Sequence, residues 1–365
     1  MQNTAYYPTL EIHMNKVQDN IKNVHALCSD NGVKITGVVK GCNALQEVAE
    51  VFEKNNYHSI GSSRISQLKK MKDRGLKSEM MLVRIPMLSE LEEVIQYADI
   101  SLNSDRGTLI ALNDLAKQHG KVHKVVLMTD LGDLREGVWD KDEFIDLALF
   151  VEEQLEGLRL YGIGTNLGCY GSIRPTEVNM TQLAELAERV ELRIGRVLDI
   201  VSGGATTSVP VLVDGKMPKK VNHLRVGEGI LLARDLTTPD FCYLEYMHND
   251  TFVLTAQIIE IQTKPSHPVG ELYIDAFGNR PTYVDVGMRK RALLGVGRQD
   301  FGHHDSLKPI DERVSVVGSS SDHLIVDITD VDENYQVGDT LSFTLFYQGM
   351  LFLSLCEDVQ KIIVK

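Results

Sequence analysis

A (β/α)8 barrel of the α/β class, followed by a C-terminal all-β domain, is the fold this sequence predicts. Three observations predict it. Eight short strand-like runs alternate with helical patterns between Ile35 and Val226. Polar residues close most of those runs. Near Thr237-Thr238-Pro239 the chain turns to β-rich runs separated by Gly, Pro, Asn and Asp clusters.

Residues 9–13 alternate like a short strand, and residues 15–28 carry Val17, Ile21, Val24 and Leu27 at helical spacing. The barrel runs are 35–40, 59–62, 80–84, 100–103, 122–129, 158–165, 197–202 and 223–226. Between them lie helical patterns at 45–54, 65–72, 89–97, 108–117, 143–155 and 181–194, with Gly75 stopping the second. Ser89 and Glu92 give the Ser-x-x-Glu signature of a capping box. Barrel active sites lie at the carboxyl ends of the strands. Lys40, Arg84, Asn103, Asp130, Thr165, Asn166, Ser202 and Arg225 all fall there, which a shared pocket explains. A doubly wound open sheet would rarely need so many alternating units. Further on, the runs 252–262, 272–276, 292–296, 314–317, 324–329 and 341–346 are β-like, and long helical patterns are absent. The expected division is a barrel over 1–236 and a β domain over 237–365, with roughly the first 12 residues packing on the latter.

With 365 residues, 43% of them hydrophobic, the chain has room for one large domain and a smaller one. A formal net charge of -13 argues against nucleic acid or an anionic membrane as partner. Residues 1–10 have neither the basic start nor the apolar core of a signal peptide, and no apolar run is long enough to span a bilayer. The five cysteines are scattered, with no C-x-x-C pair, which fits a reducing cytoplasm. Pro218-Lys219-Lys220 and His303-His304-Asp305 read as solvated loops, and no metal site is expected.

The chemistry is read from Lys40, which ends the apolar run Ile35-Thr36-Gly37-Val38-Val39. Burial lowers the pKa of an amine and makes it a better nucleophile towards a carbonyl, as a Schiff-base lysine requires. Ser202-Gly203-Gly204-Ala205-Thr206-Thr207-Ser208 follows the seventh barrel run and Arg225-Val226-Gly227-Glu228-Gly229 closes the eighth. Those two loops are the frequent phosphate site of barrels, where glycines admit backbone N–H groups and hydroxyls donate. An amine-reactive lysine beside a phosphate site suggests pyridoxal phosphate. Arg225 can donate to the pyridine nitrogen but not accept from it, which limits electron withdrawal by the ring.

These residues resemble the fold-type III pyridoxal phosphate enzymes, the alanine racemase-like family. Val38-Val39-Lys40 resembles the family's Schiff-base segment, and Arg225-Val226-Gly227 its Arg-x-Gly. Asp130-Leu131-Gly132-Asp133-Leu134-Arg135-Glu136-Gly137 resembles Asp-Thr-Gly-Met-x-Arg-x-Gly, which implies that Arg135 meets the cofactor phenolic oxygen and the substrate carboxylate. Gly297-Arg298-Gln299-Asp300 is similar to the family's Met-Asp segment, placing Gln299 and Asp300 near that carboxylate. The chain is most similar to the ornithine racemase branch, almost end to end, through segments such as Leu82-Val83-Arg84-Ile85-Pro86-Met87-Leu88-Ser89-Glu90, Gly162-Ile163-Gly164-Thr165-Asn166-Leu167, Asp275-Ala276-Phe277-Gly278-Asn279 and Ser320-Ser321-Asp322-His323. The resemblance implies a racemase of L- and D-ornithine that works as a homodimer with shared active sites. Lys40, Arg135, Asn166, Ser202, Gly203, Gly204, Thr206, Thr207, Ser208, Arg225, Gly227 and Glu228 would then hold the cofactor, and Arg135, Gln299, Asp300 and Asp322 the substrate.

Three departures bear on mechanism. Met128 stands where the family has a lysine, Asn166 where it has a histidine, and Asp275–Asn279 contains no tyrosine to serve as second base. Racemisation is most simply done by two acid/base groups on opposite faces of Cα. Lys40 serves one face. Tyr347, and His323 with Asp322 beside it to orient or charge it, are the candidates for the other. A distal ammonium on the substrate would be met by oxygens among Asp130, Asp133, Glu136, Asp300 and Asp322. Alanine, lysine or broad-specificity racemase activity is the alternative within the class. A decarboxylase lacks its expected second-domain segment here. A non-catalytic pyridoxal phosphate carrier, the reading from another class, would not need the β domain.

Overall fold

The computed structural model describes residues 6–365. Strand β1 (Thr9–His13) leads into helix α1 (Met14–Asp30), which buries Val17, Ile21, Val24 and Cys28. The chain then alternates through β2 (Lys34–Val38), α2 (Gln46–Lys54), β3 (Ser59–Ser62), α3 (Ile65–Asp73), β4 (Met80–Leu82) and α4 (Leu91–Tyr97). It continues through β5 (Ile100–Asn103), α5 (Arg106–Gln118), β6 (His123–Met128), α6 (Lys141–Gln154), β7 (Leu158–Gly164) and α7 (Glu177–Ile194). Strand β8 (Ile200–Ser202), α8 (Val209–Val213), β9 (His223–Val226) and α9 (Glu228–Leu231) complete the series. Strands β2 to β9 form a closed parallel barrel of eight, β9 returning to pair with β2. The barrel fold expected from the alternation is what the chain forms.

Polar side chains set the helix starts. Asp105 accepts the amide of Thr108 at 2.7 Å at the head of α5, and Asp140 accepts those of Asp142 and Glu143 at the head of α6. The capping box expected at Ser89 and Glu92 is absent. Leu88–Glu90 forms a single 3-10 turn, so α4 starts later, at Leu91. Glu90 holds that turn instead, accepting the Met87 amide at 3.1 Å and pairing with Arg84 Nη2 at 2.5 Å.

The chain divides into two compact units, one of residues 17–248 and one joining the segment up to Lys16 to Asn249–Lys365. A short hairpin, β10 (Thr237–Thr238) with β11 (Cys242–Tyr243), ends the first. The second is an antiparallel sheet of β12 (Phe252–Pro265), β13 (Met288–Leu294), β14 (Leu307–Pro309), β15 (Ser315–Ser319), β16 (Leu324–Asp327) and β17 (Thr340–Leu345). Strand β1 pairs antiparallel with β12 and parallel with β18 (Gln360–Val364), which ties the start of the chain to its end. Of the opening segment expected to pack on this unit, residues 1–5 lie outside the described residues.

Two expectations for this unit are corrected. Residues 272–276 form no strand, because the Asp275 carboxylate accepts the amides of Phe277 and Asn279 at 2.9 and 2.7 Å and curls the chain into a turn. Helices do occur: α10 (Arg298–Phe301) and the nine-residue α11 (Tyr347–Leu355). Helix α11 is apolar on nearly every side, so it gave no amphipathic period to read.

Candidate active site

Lys40 sits two residues past the end of β2, at the start of a 3-10 turn, with Val39 and Gly41 buried on either side. The turn is held from several directions. Val39 donates to Gly61 O at 2.9 Å, Ala44 donates to Val39 O at 3.0 Å, and Gln67 Nε2 donates to Asn43 Oδ1 at 3.0 Å. Asn43 and Ala44 both take left-handed backbone, φ 51 and 49°, an uncommon conformation for a residue with a Cβ. Such strain persists only where surroundings dictate it, and it clusters at functional sites. Burial lowers the Lys40 pKa, Arg135 and Arg225 lower it further, and Cys169 and Glu136 oppose them. The lysine is thus an amine with depressed basicity, within the electrostatic reach of two guanidinium groups.

The loop after β6 supplies Arg135. Asp130 Oδ1 accepts the amides of Gly132 and Leu134, and Asp133, wholly buried, accepts those of Cys169 and Tyr170 at 3.2 and 3.1 Å. These bonds tie the loop after β6 to the loop after β7. Arg135 is gripped by Glu136 through both Nε and Nη2, and its Nη1 donates to Cys169 Sγ at 2.9 Å.

Arg225 lies inside the barrel near the end of β9. Its guanidinium is buried and finds no carboxylate among the described residues. Nη1 donates to Ser202 Oγ, and Nη2 donates to Thr165 O at 2.9 Å and to Asn166 Oδ1 at 3.4 Å. Among the described residues no acceptor meets Nε. Burial lowers its pKa to about 10, so it stays a cation at neutral pH. A buried cation with only neutral acceptors and two of its five N–H groups spare, on Nε and Nη1, fits a neutral ring nitrogen, which is what the pyridine of pyridoxal phosphate presents.

The Gly-rich loop after β8 keeps its place and, of its expected hydroxyl donors, leaves Thr206 with a proton to give. Ser208 Oγ donates to Gly203 O at 2.6 Å and Thr207 Oγ1 donates to Leu167 O at 2.8 Å, while Thr206 Oγ1 accepts the Gly229 amide at 3.0 Å. Thr207 and Ser208 thus spend their hydroxyl protons bracing the loop, while Thr206, an acceptor in its bond, keeps its proton to offer an anion beside backbone N–H groups. Gly204, at φ +112°, permits this turn; a Cβ there would meet Ser208 Oγ at 2.9 Å. The Thr206–Gly229 bond sets this loop beside the Gly227-Glu228 start of α9. Burial and the neighbouring Asp235 raise the Glu228 pKa, which favours its neutral form and lessens repulsion of an anion nearby. The residues present therefore fit a phosphate-bearing pyridine.

Asn103 is placed differently from expectation. The ladder sets it level with Leu127, whereas Leu102 is level with Val126 in the inner row, so Asn103 faces the helices. Its Nδ2 donates to Ser101.

In the β unit, Asp300 is buried and caps α10, accepting the Gly297 amide at 2.8 Å and the Cys356 thiol at 3.3 Å. Gln299 is exposed and donates to Asp322 at 3.1 Å. Tyr347 opens α11, half-buried. His323 Nδ1 meets Ser320 Oγ at 3.2 Å, so its ring is oriented by Ser320 and not by Asp322, whose carboxylate takes Gln299 and Ser321. In the His303-His304-Asp305 loop the rings stack at 4.2 Å and both face the Asp305 carboxylate.

Residues 12–235 match the family model described as alanine racemase, N-terminal domain. The chain belongs to the alanine racemase family. An ornithine racemase from Acetoanaerobium sticklandii is 42% identical over 97% of this chain and 99% of its own length. A lysine racemase from Thermotoga maritima is 36% identical, covering 98% of each chain. The crystal structure of an alanine racemase from a D-cycloserine-producing Streptomyces lavendulae superposes with a TM-score of 0.75 over 100% of this chain and 98% of that one, at 14% identity, and so shares its fold. The family resemblance read from the motifs is borne out. The motifs did not point to Thr36, Ser59 and His223, buried inside the barrel beside Ser202 and Arg225. The signal for His223 was its parity: residues two apart on a strand share a face, and His223 lies two before Arg225.

Proposed function

We propose that the protein is a pyridoxal phosphate-dependent racemase that interconverts L- and D-ornithine. The observation that carries this reading is the barrel mouth, where burial, Arg135 and Arg225 lower the pKa of the Lys40 amine while the buried Arg225 keeps two N–H groups spare. The substrate follows from the ornithine racemase that matches nearly the whole chain. Lysine is the second reading, favoured by the 36% identical lysine racemase.

Pyridoxal phosphate, when bound, supplies the electron sink that makes a substrate's α-proton acidic. Lys40 anchors it and, once released, takes or returns the proton on one face of Cα. Arg135, held in place by Glu136, meets the substrate carboxylate. Arg225 donates to the ring nitrogen without protonating it. The loops that follow β8 and β9, from Gly204 and from Gly227, take the phosphate on backbone N–H groups, the Gly203 amide being already donated to His223 O. The proton on the other face is assigned to Tyr347 or His323, with Gln299, Asp300 and Asp322 on the substrate side.

We also infer a homodimer in the cytoplasm. Between β12 and β13 the β unit exposes Val269, Tyr273, Val284 and Val286, a stretch of apolar surface that a second copy would cover. All five cysteines are free, and no helix among the described residues is long and apolar enough to cross a membrane. An active monomer in sedimentation would overturn the dimer.

The test is deuterium uptake at Cα of L-ornithine by the pyridoxal phosphate-loaded protein in heavy water, with chiral analysis of the product. Exchange accompanied by D-ornithine is the expected result. Exchange confined to lysine or alanine would keep the mechanism and change the substrate. No exchange with any of them would overturn the reading in favour of a cofactor carrier.

A further inference from the structure

Behind Arg225 a chain of buried polar groups runs through the barrel interior. Ser202 Oγ, which accepts from Arg225 Nη1, lies 2.9 Å from His223 Nδ1. His223 Nε2 lies 2.9 Å from Thr36 Oγ1, which in turn lies 2.6 Å from Ser59 Oγ and 3.4 Å from Met81 Sδ. Ser202, His223, Thr36 and Ser59 are all 0% exposed. None of them is needed to close a barrel, and each costs free energy to bury unless paired.

The direction of the chain follows from its first member. A guanidinium only donates, so Ser202 Oγ is the acceptor in that bond. Its one proton then goes to the other polar atom it touches, His223 Nδ1. Nδ1 is therefore unprotonated and the ring proton sits on Nε2, which donates to Thr36. Burial opposes a second proton on the ring, and the neighbouring groups His58, Arg225 and Lys34 all add to that.

We propose that His223 is a positioning residue: as the neutral Nε2–H tautomer it receives the Ser202 hydroxyl, and so fixes Ser202 as the acceptor that aims Arg225 at the barrel mouth. The kinetic part of the test rests on the racemase reading; the spectroscopic part does not.

The first measurement is imidazole nitrogen NMR on protein labelled at histidine, with and without pyridoxal phosphate, the His223 signals being assigned by their loss in His223→Asn. The expected result is a pyridine-type Nδ1 and a protonated Nε2, unchanged between pH 8 and pH 5.5. A protonated Nδ1, or titration in that range, would overturn the proposal. The second measurement is kinetic. His223→Leu should lower kcat about tenfold with little change in KM, the loss expected for one buried hydrogen bond. His223→Asn, whose Oδ1 can still accept from Ser202, should recover most of it. Full kcat in His223→Leu would overturn the proposal, as would equal losses in the Leu and Asn variants. Should His223→Leu not fold, Ser202→Ala severs the same link and should show the same drop. A protein that racemises nothing would fail the functional reading, and the tautomer would still decide this one.

Discussion

The inner face of the barrel has two unlike halves. Over β4 to β7 it is mainly apolar, Lys124 level with Ile100 being an exception: Met81, Ile100, Leu102, Val126 and Met128 pack into one buried cluster with Tyr161 of β7 and Ile200 of β8. Over β2, β3, β8 and β9 it is mainly polar, with Thr36, Ser59, Ser202, His223 and Arg225 equally buried. The ladder places both in the same inward rows, and Thr36 Oγ1 touches Met81 Sδ where they meet. The apolar half is accounted for by burial alone, at about 25 cal/mol per Å² of apolar surface removed from water. The polar half gains little from burial and is tolerated because its members pair with one another. It sits behind Arg225, so the comparison teaches that this barrel departs from an apolar filling where it has a cation to hold.

The largest effect should come at the mouth itself. Lys40→Ala should lower turnover at least about 1000-fold, since it removes both the anchor and a proton-transfer group. It should also abolish the absorbance shift that marks covalent attachment of the cofactor. Retained turnover would detach the polar half from any chemistry. A change in the apolar half should instead act on stability. Leu102→Ala should cost about 2–5 kcal/mol through lost burial and a cavity, read as a lower Tm, while kcat per folded molecule holds. A kcat loss as large as that of His223→Leu would break the distinction between the halves.

What could be read from the sequence followed period and parity. The strands at Ser59–Ser62, Ile100–Asn103 and His223–Val226 coincide with their expected runs because apolar alternation there ends on turn residues. The run to Lys40 overshoots its strand by two residues, since Val39 leaves the ladder to enter the 3-10 turn. Lys40, Arg135 and Arg225 were legible because motif and strand end agree. The partners of those residues were not. That Ser208 donates to Gly203 O, or that Glu136 grips Arg135, depends on side-chain directions in loops, for which no period exists. Asn103 illustrates the limit: a polar residue at a strand end reads as part of the mouth, yet its position in the ladder turns it outwards.

That outward side offers the smallest and most selective test. His123 is as buried as His223 but lies on β6 facing the helices, where its Nε2 meets Ser101 Oγ at 2.8 Å. Burial lowers its pKa to about 4, against about 6.5 in an unfolded chain. Above pH 6.5 both states are neutral and the histidine adds no pH dependence. As pH falls below 6.5 the unfolded chain binds a proton that the folded one refuses, so stability declines until the folded pKa is reached. At pH 5 the loss should be about 2 kcal/mol, measurable as a lower denaturation midpoint than at pH 7.5. His123→Gln should remove that part of the slope without touching kcat, because the side chain lies outside the Arg225 chain. If His123→Gln instead lowered kcat as His223→Leu should, polarity inside the barrel would have no privileged link to Arg225. The two halves would then differ in composition alone.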